Sequence, residues 1–322
     1  MYKYTGIDVS KETFDCSITT DKGVETKKFS NNGLGFGKLL KLLPADAQVV
    51  MEASGPYYYR LAFFLYEHNV RVSVVNPLVI RRFCQMRLVR TKTDKKDAAM
   101  IREYGISEQP QVWQPDAPMI SKLKQLNAAL DMLEKHITAS TNQGEAFKEM
   151  PDADSYTLKL LEAILLHNKQ VRDSLEAEMA QVARQHYEQT YQALQRIPGI
   201  GPKSAAMLIA ITGNFTKFTD YRQLVAYVGL NPSIFESGTS VKGKGHISKM
   251  GTARLRKLLY LCAWSAKRYN QQCKQMYERL KQKAKPEKVI KVAIANKLLR
   301  QAFAIGKSLS QYKQNYNVSL AF

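Results

Sequence analysis

Four carboxylates sit at the edges of one α/β pattern: Asp8, Glu52, Asp94 and Asp97. Asp8 lies where the apolar run of YKYTGIDVSKETFDCSI reaches a turn, and Glu52 closes the apolar run of QVVMEASG. Asp94 and Asp97 belong to TDKKDAAMIREYG and are three residues apart, so a helix puts them on one face. Three separate segments each deliver acid to the end of an element. That pattern suits hard divalent cations such as Mg²⁺ or Mn²⁺, which take oxygen ligands. Two such ions can clamp the attacking and leaving oxygens of a phosphodiester. Each acid also has a plainer reading. An Asp at a strand end is often a turn residue, and Lys92, Lys95 and Lys96 around Asp94 and Asp97 fit a solvated face. Glu52 is harder to dismiss, because a carboxylate beside Val49, Val50 and Met51 needs a partner or a metal. Asp15 and Asp21 read as surface or turn residues.

The elements that must position these acids follow from periodicity. Strands are expected over 3–9, 13–19 and 24–30, with a hairpin turn at Asp21-Lys22-Gly23. A helix near 33–43, a strand at 48–53, a helix at 57–68 and a strand at 70–75 come next. Pro77 opens another helix, where a first-turn proline is tolerated, and Thr93 caps the helix carrying Asp94 and Asp97. Three leading strands followed by alternating helices and strands is the order of a ribonuclease-H-like domain. This is an analogy of fold, which does not establish function.

A chain of 322 residues is expected to form two or three domains. Cys16, Cys84, Cys262 and Cys273 have no paired spacing, which argues for a reducing, cytoplasmic setting and against structural zinc. No secretory signal and no membrane-length apolar run is expected. The net charge of +20 is unevenly placed: residues 190–322 hold 23 Lys and Arg against 4 Asp and Glu. Such a footprint points to polyanions, and interleaved tyrosines favour nucleic acid.

The acidic middle is helical. Met119, Leu123, Leu126, Leu130, Leu133 and Ile137 form a heptad seam, with breaks expected at Thr141-Asn142-Gln143-Gly144 and at Pro151-Asp152-Ala153-Asp154. A second helix carries Leu161, Ile164, Val171, Leu175 and Val182, interrupted by Asn168 and Glu178. This pair is either a strut within the chain or an oligomer contact. Beyond residue 194, LQRIPGIGPKSAAMLIAI reads as a helix-hairpin-helix. Gly199 and Gly201 free the turn, Pro202 opens the second helix and Lys203 adds charge for a phosphate. Between Pro232 and Arg254 apolar periodicity disappears. Ser237, Thr239 and Ser240 alternate there with glycines and with Lys242, Lys244, His246 and Lys249. These cations, with Arg254 and Arg256, are candidate phosphate contacts on a long functional loop. A hydroxyl there could attack phosphorus if a base or metal activates it. On chemistry alone the favoured reading is that Ser237, Thr239 and Ser240 only bind phosphate or form turns.

Five blocks in register, GIDVSKETFD, MEASGPYY, NP…RTKTDKKDA, IPGIGPKSA and GLNPSIFESGTSVKGKGHISKMG, resemble the DEDD transposases of insertion-sequence family one-ten and their Piv-type invertase relatives. The resemblance runs from residue 3 to about residue 305. It implies an N-terminal RuvC-like domain over 1–112 with Asp8, Glu52, Asp94 and Asp97 as metal-binding catalytic acids. A helical coiled-coil linker over 113–190 and a basic helix-hairpin-helix domain over 191–322 would follow, the last carrying a nucleophilic serine. The block ESGTSVKG matches that serine to Ser237, with Ser240 as the local rival. Further implications are DNA recombination guided by a structured non-coding RNA, and dimers paired into a tetramer whose sites join acids of one subunit to the serine of another. Three other readings stay open. One is a RuvC-type nuclease using water and another is a non-catalytic nucleic-acid scaffold. The third is a sugar-kinase-like ATPase suggested by GIDVSK, against which stand the missing glycine-rich phosphate loops and the basic C-terminal region.

Overall fold

The computed structural model describes residues 3–20, 23–89, 93–233 and 246–313, with the backbone alone at 236–237 and 241–242. Its first unit is built on β1 (Lys3–Val9), β2 (Thr13–Thr20), β3 (Gly23–Ser30), β4 (Ala47–Glu52) and β5 (Arg71–Val75). They form one mixed sheet in the order β3-β2-β1-β4-β5. The first three strands are antiparallel neighbours, whereas β1, β4 and β5 run parallel. β4 is apolar and buried nearly throughout, as a strand covered on both faces must be. β3 alternates exposed and half-buried positions and carries Lys27 and Lys28, charges that suit an edge strand. The observed strands agree closely with those expected; Asp21 and Lys22 of the expected turn lie outside the described residues.

Helices α1 (Gly33–Leu40), α2 (Tyr58–Glu67), α3 (Pro77–Met86) and α4 (Asp94–Glu108) complete this unit. Side chains of Asn32, Asn76 and Thr93 cap α1, α3 and α4 by accepting from backbone N–H groups of Gly35, Leu78 and Lys96. One face of the sheet packs Ile7, Cys16, Val49 and Met51 with Leu39, Leu61 and Leu65. The opposite face carries Tyr4 and Val50 with Ile101 of α4. Two glycines let α4 approach closely. A Cβ at Gly6 would lie 2.2 Å from the Ala98 carbonyl oxygen, and one at Gly105 would lie 2.8 Å from Tyr4 Cδ1.

The chain divides into two compact units, Met1–Pro115 and Asp116–Phe322. The second begins with two long helices, α5 (Pro118–Lys148) and α6 (Ser155–His186). α5 runs unbroken through Thr141–Gly144, contrary to the expected interruption. The Thr141 hydroxyl donates to the Ile137 carbonyl at 2.8 Å, and one mid-helix glycine costs only about 1 kcal/mol. The pair separates at Met150–Asp154, where the Asp154 carboxylate caps α6. Salt bridges Lys122–Glu178 and Lys148–Glu162 mark the antiparallel pairing. Leu123, Leu130, Met179, Val182 and Ala183 share one core with the C-terminal helices. Towards the other end the packing thins. Ile164, expected on the buried stripe, is 50% exposed, because Leu161, Leu165 and Asn168 take the inner face.

The rest of this unit is α7 (Glu188–Gln195), α8 (Pro202–Thr212), α9 (Tyr221–Val228), α10 (Ala253–Tyr269), α11 (Gln271–Gln282) and α12 (Glu287–Ser308). α8 is buried from Ser204 to Thr212 and forms the centre of the core. Between α9 and α10 four short strands pair: β6 (Pro232–Ser233) with β9 (His246–Ile247), and β7 (Glu236–Ser237) with β8 (Val241–Lys242). The described residues of the segment expected to be irregular therefore pair as a nested antiparallel ribbon. No helix among the described residues is long and apolar enough to cross a membrane.

Candidate active site

Strand register puts the first two acids side by side. β1 and β4 pair in parallel up to Ile7 opposite Met51, so Asp8 and Glu52 are the next residues on neighbouring strands. Ile7 and Met51 point into the apolar face beneath α2, so their successors point to the face covered by α4. The close approaches fix the direction of α4. Gly105 lies against Tyr4 and Val50, while Ala98 and Arg102 lie against Gly6. Moving along β1 from Tyr4 through Gly6 to Asp8 therefore means moving backwards along α4 towards its first turn, which holds Asp94 and Asp97. All four predicted acids thus belong to one end of one face of the sheet.

Asp8, Glu52 and Asp97 are half-buried and Asp94 is exposed. The Ser54 hydroxyl donates to Glu52 Oε1 at 3.1 Å. The Asn31 amide donates to the Ser10 carbonyl at 2.8 Å and the Tyr57 carbonyl at 3.3 Å, joining the turns that follow Asp8 and Glu52. The donor set is entirely carboxylate oxygen, which fits a hard divalent cation in chemistry. Among the described residues, however, no three His, Cys, Asp or Glu side chains converge tightly enough to hold an ion. The strands and α4 bring the four acids to the same end of the sheet.

Sequence reasoning placed Asp15 at the surface or in a turn. It is neither: Asp15 is 4% exposed, lies within β2, and stands directly opposite Asp8 in the β1–β2 register. Its ion-pair partner is the exposed Lys28, 3.6 Å away on β3. The alternation of TFDCSITT, with Phe14, Cys16 and Ile18 on the apolar face, was the available signal, since it sends Asp15 to the other face with Ser17 and Thr19.

The second unit carries the remaining predicted residues. Ser237 lies in β7 with its backbone opposite Val241. The side chains of Ser237 and Lys242, and all of Ser240 and Lys244, lie outside the described residues. The ribbon's root is firmly held. Ser248 donates to Asn231 Oδ1 at 2.8 Å, and Asn296 donates to the Leu230 carbonyl at 3.2 Å. Gly251, at φ +113°, lies so close to the Tyr227 carbonyl that a Cβ would meet its oxygen at 1.9 Å. His246 and Lys249 are exposed at this root.

Gly199 has φ +106° and packs against Ala266 of α10, whereas Gly201 faces open space at the start of α8. Three cations expected to meet phosphate have partners inside the chain. Lys203 ion-pairs with Glu134 at 3.2 Å and with Glu176, joining α8 to α5 and α6. Arg254 is nearly buried, donates to the Asn127 carbonyl, and lies 3.7 Å from Glu134. Burial lowers its pKa against the pull of Glu134, Asp131 and Glu176. Arg256 donates to the Val228 carbonyl at 2.7 Å. These contacts organise the unit's interior, and their acidic partners are too distant in sequence to be read from a local motif.

The sequence model described as "Transposase IS116/IS110/IS902 family" matches residues 191–278, and a DEDD transposase model of the IS110 group, described as "Transposase", matches residues 5–147. The chain is 31% identical to the pilin gene-inverting protein of Moraxella lacunata, over 94% of this chain and 95% of that protein. It is 24% identical to the transposase for insertion sequence element IS1328 of Yersinia enterocolitica, over 93% of this chain and 95% of the relative. With the transposase for insertion sequence element IS1111A of Coxiella burnetii it shares 25% identity over 80% of this chain and 76% of the relative. A match at this identity across nearly the whole of both chains, with models of both halves matching in order, leads to one conclusion: the chain belongs to the IS110 family of transposases and is a DNA transposase/recombinase.

Proposed function

We propose that this recombinase cuts and rejoins DNA through a serine ester, with Asp8, Glu52, Asp94 and Asp97 forming a RuvC-like carboxylate site and Ser237 acting as nucleophile. The observation that carries the reading is the register placing Asp8 beside Glu52 on the face covered by α4, whose first turn supplies Asp94 and Asp97. The sheet order of three antiparallel strands followed by parallel crossovers supports a ribonuclease-H-like domain. A bound Mg²⁺ or Mn²⁺ would supply charge stabilisation for phosphoryl transfer. The four acids would hold it, and Ser54 would keep Glu52 oriented.

In the cleavage step the Ser237 Oγ–H proton passes to a base and an Oγ–P bond forms. One P–O bond of the strand breaks, and the freed end leaves as a hydroxyl. Reversal on a different strand end rejoins the DNA, because the ester conserves the bond energy. The basic second unit would bind nucleic acid, with His246 and Lys249 placed to meet phosphate at the ribbon root. A non-coding RNA would read the target by base pairing, leaving the protein to recognise backbone and shape. Residues 113–190 would act as the helical linker of a dimer that pairs into a tetramer, in which Ser237 serves the acids of another subunit.

Trapping on a labelled suicide DNA substrate tests the chemistry. The wild-type chain should yield a DNA-bearing peptide containing Ser237, and Ser237→Ala should bind DNA without forming an adduct. An adduct on Ser240 would move the nucleophile, and metal-dependent cleavage with no adduct would replace serine by water. Mixing Asp8→Asn with Ser237→Ala should restore cleavage if sites are shared between subunits.

A further inference from the structure

Asp15 is a buried carboxylate that the proposed chemistry does not use. It stands opposite Asp8 on β2, and Asp8 in turn is beside Glu52 on β4. All three point to the face covered by α4. Lys28 stands opposite Asp15 on β3. Across four neighbouring strands the sheet therefore carries one cation followed by three adjacent acids, with strand spacings of about 4.8 Å. Like charges directly opposite one another in a sheet destabilise it. The repulsion is stronger when one of the pair is removed from water, and Asp15 is 4% exposed. Lys28 compensates weakly. Its ammonium is 3.6 Å from Asp15 Oδ2, beyond hydrogen-bonding length, and its side chain is 54% exposed.

We propose that Asp15 is a positioning residue of the carboxylate site, a fifth acid that acts through Asp8 to raise the site's affinity for a divalent cation. This rests on the reading of the four acids as a cation site. Asp15 need not touch the ion. Its negative charge behind Asp8 disfavours the empty site and favours the filled one. Lys28 acts in the opposite sense, screening Asp15 and moderating the affinity.

The effects have opposite signs for empty and filled protein, which separates them from a plain structural role. Asp15→Asn keeps the side chain's shape and removes its charge. In the metal-free full-length protein it should raise the melting temperature by about 2–4 °C. Mn²⁺ binding, followed by titration calorimetry or by electron paramagnetic resonance of free Mn²⁺, should weaken by roughly tenfold, which is about 1.4 kcal/mol. Cleavage by Asp15→Asn should recover at raised Mn²⁺. Lys28→Met, on an exposed position that leaves the core untouched, should lower the metal-free melting temperature and tighten Mn²⁺ binding several-fold. Unchanged Mn²⁺ affinity in both variants overturns the inference. So does a lower metal-free melting temperature for Asp15→Asn, which would make Asp15 only a structural partner of Lys28. If the wild-type chain binds no Mn²⁺, the cation-site reading itself fails, and the two failures are distinguishable.

Discussion

The contact between Gly6 and α4 sets the geometry of the proposed carboxylate site, and Gly6→Ala tests it without altering any acid. The new Cβ would meet the Ala98 carbonyl oxygen at 2.2 Å, the Arg102 nitrogen at 2.3 Å and the Arg102 Cα at 2.8 Å. All three are backbone atoms, so no side chain can swing aside. Restoring ordinary contact requires α4 to retreat by roughly 1 Å, and overpacking of this kind costs about 1–3 kcal/mol. The first turn of α4 carries Asp94 and Asp97, so the retreat moves two acids relative to Asp8 and Glu52. A misplacement of about 1 Å at a reacting centre costs on the order of 100-fold in rate. Gly105→Ala should be milder, because its Cβ meets only the side chains of Tyr4 and Val50, at 2.8 and 2.9 Å. Gly37→Ala, within α1 and facing open space, is the control and should be neutral or stabilising by up to about 1 kcal/mol. Urea denaturation gives the stability order and plasmid recombination gives the rate. Wild-type stability together with wild-type recombination in Gly6→Ala would refute the placement of α4.

Two further expectations concern the second unit. Lys203→Met strands Glu134 and Glu176 without their shared cation, so it should destabilise the fold by about 1–3 kcal/mol, and adding Glu176→Gln should recover part of the loss. A lysine serving DNA phosphate would instead lower the salt dependence of binding by about one counterion and leave denaturation midpoints unchanged. Glu287 accepts from Tyr277 and pairs with Lys267 and Lys291, and these contacts, the Tyr277 hydrogen bond foremost, hold its pKa down at about 2. Such a carboxylate stabilises the fold above its ordinary value of 4.5 and loses that contribution as pH falls towards 2. Glu287→Gln should therefore be the less stable protein at pH 7 but show a shallower loss of melting temperature between pH 4.5 and 2. Parallel curves for the two proteins would remove Glu287 from the acid response.

The sheet was legible because its strands announce themselves locally. AQVVME is an apolar run ending in acid, KYTGIDV carries Asp8 one residue before its end, and TFDCSITT alternates cleanly. The cap at Thr93 was legible because a short polar side chain precedes helical periodicity there. What was missed depends on how elements pair. That Asp15 faces Asp8 requires the register of the first hairpin, and that Lys203 is occupied requires Glu134 and Glu176 from two other helices. The strands of the ribbon were hidden for a different reason. Each is only two residues long, too short for alternation to show, and a lone Val241 or Ile247 is too little β-branching to mark a strand.

That ribbon bears on how Ser237, the proposed nucleophile, would be held without standing on a long element. Ser237 is four residues beyond Ser233, whose backbone is paired with His246 at the root. At about 3.3 Å per residue, it therefore lies within roughly 13 Å of that pairing. The root is fixed to the helical core by the Ser248–Asn231 and Asn296–Leu230 hydrogen bonds and by the close approach of Gly251 to the end of α9. Arg256, from the first turn of α10, anchors the same place through the Val228 carbonyl. The core thus limits where the hydroxyl can be delivered, and the register of β7 with β8 limits how its backbone is presented. Under the proposed serine chemistry, Arg256 would serve the reaction by holding the ribbon's root. The basic residues of the second unit then divide into those with partners inside the unit, such as Lys203, Arg254 and Arg256, and those such as Lys249 that are exposed, to which the proposed function assigns nucleic-acid contact.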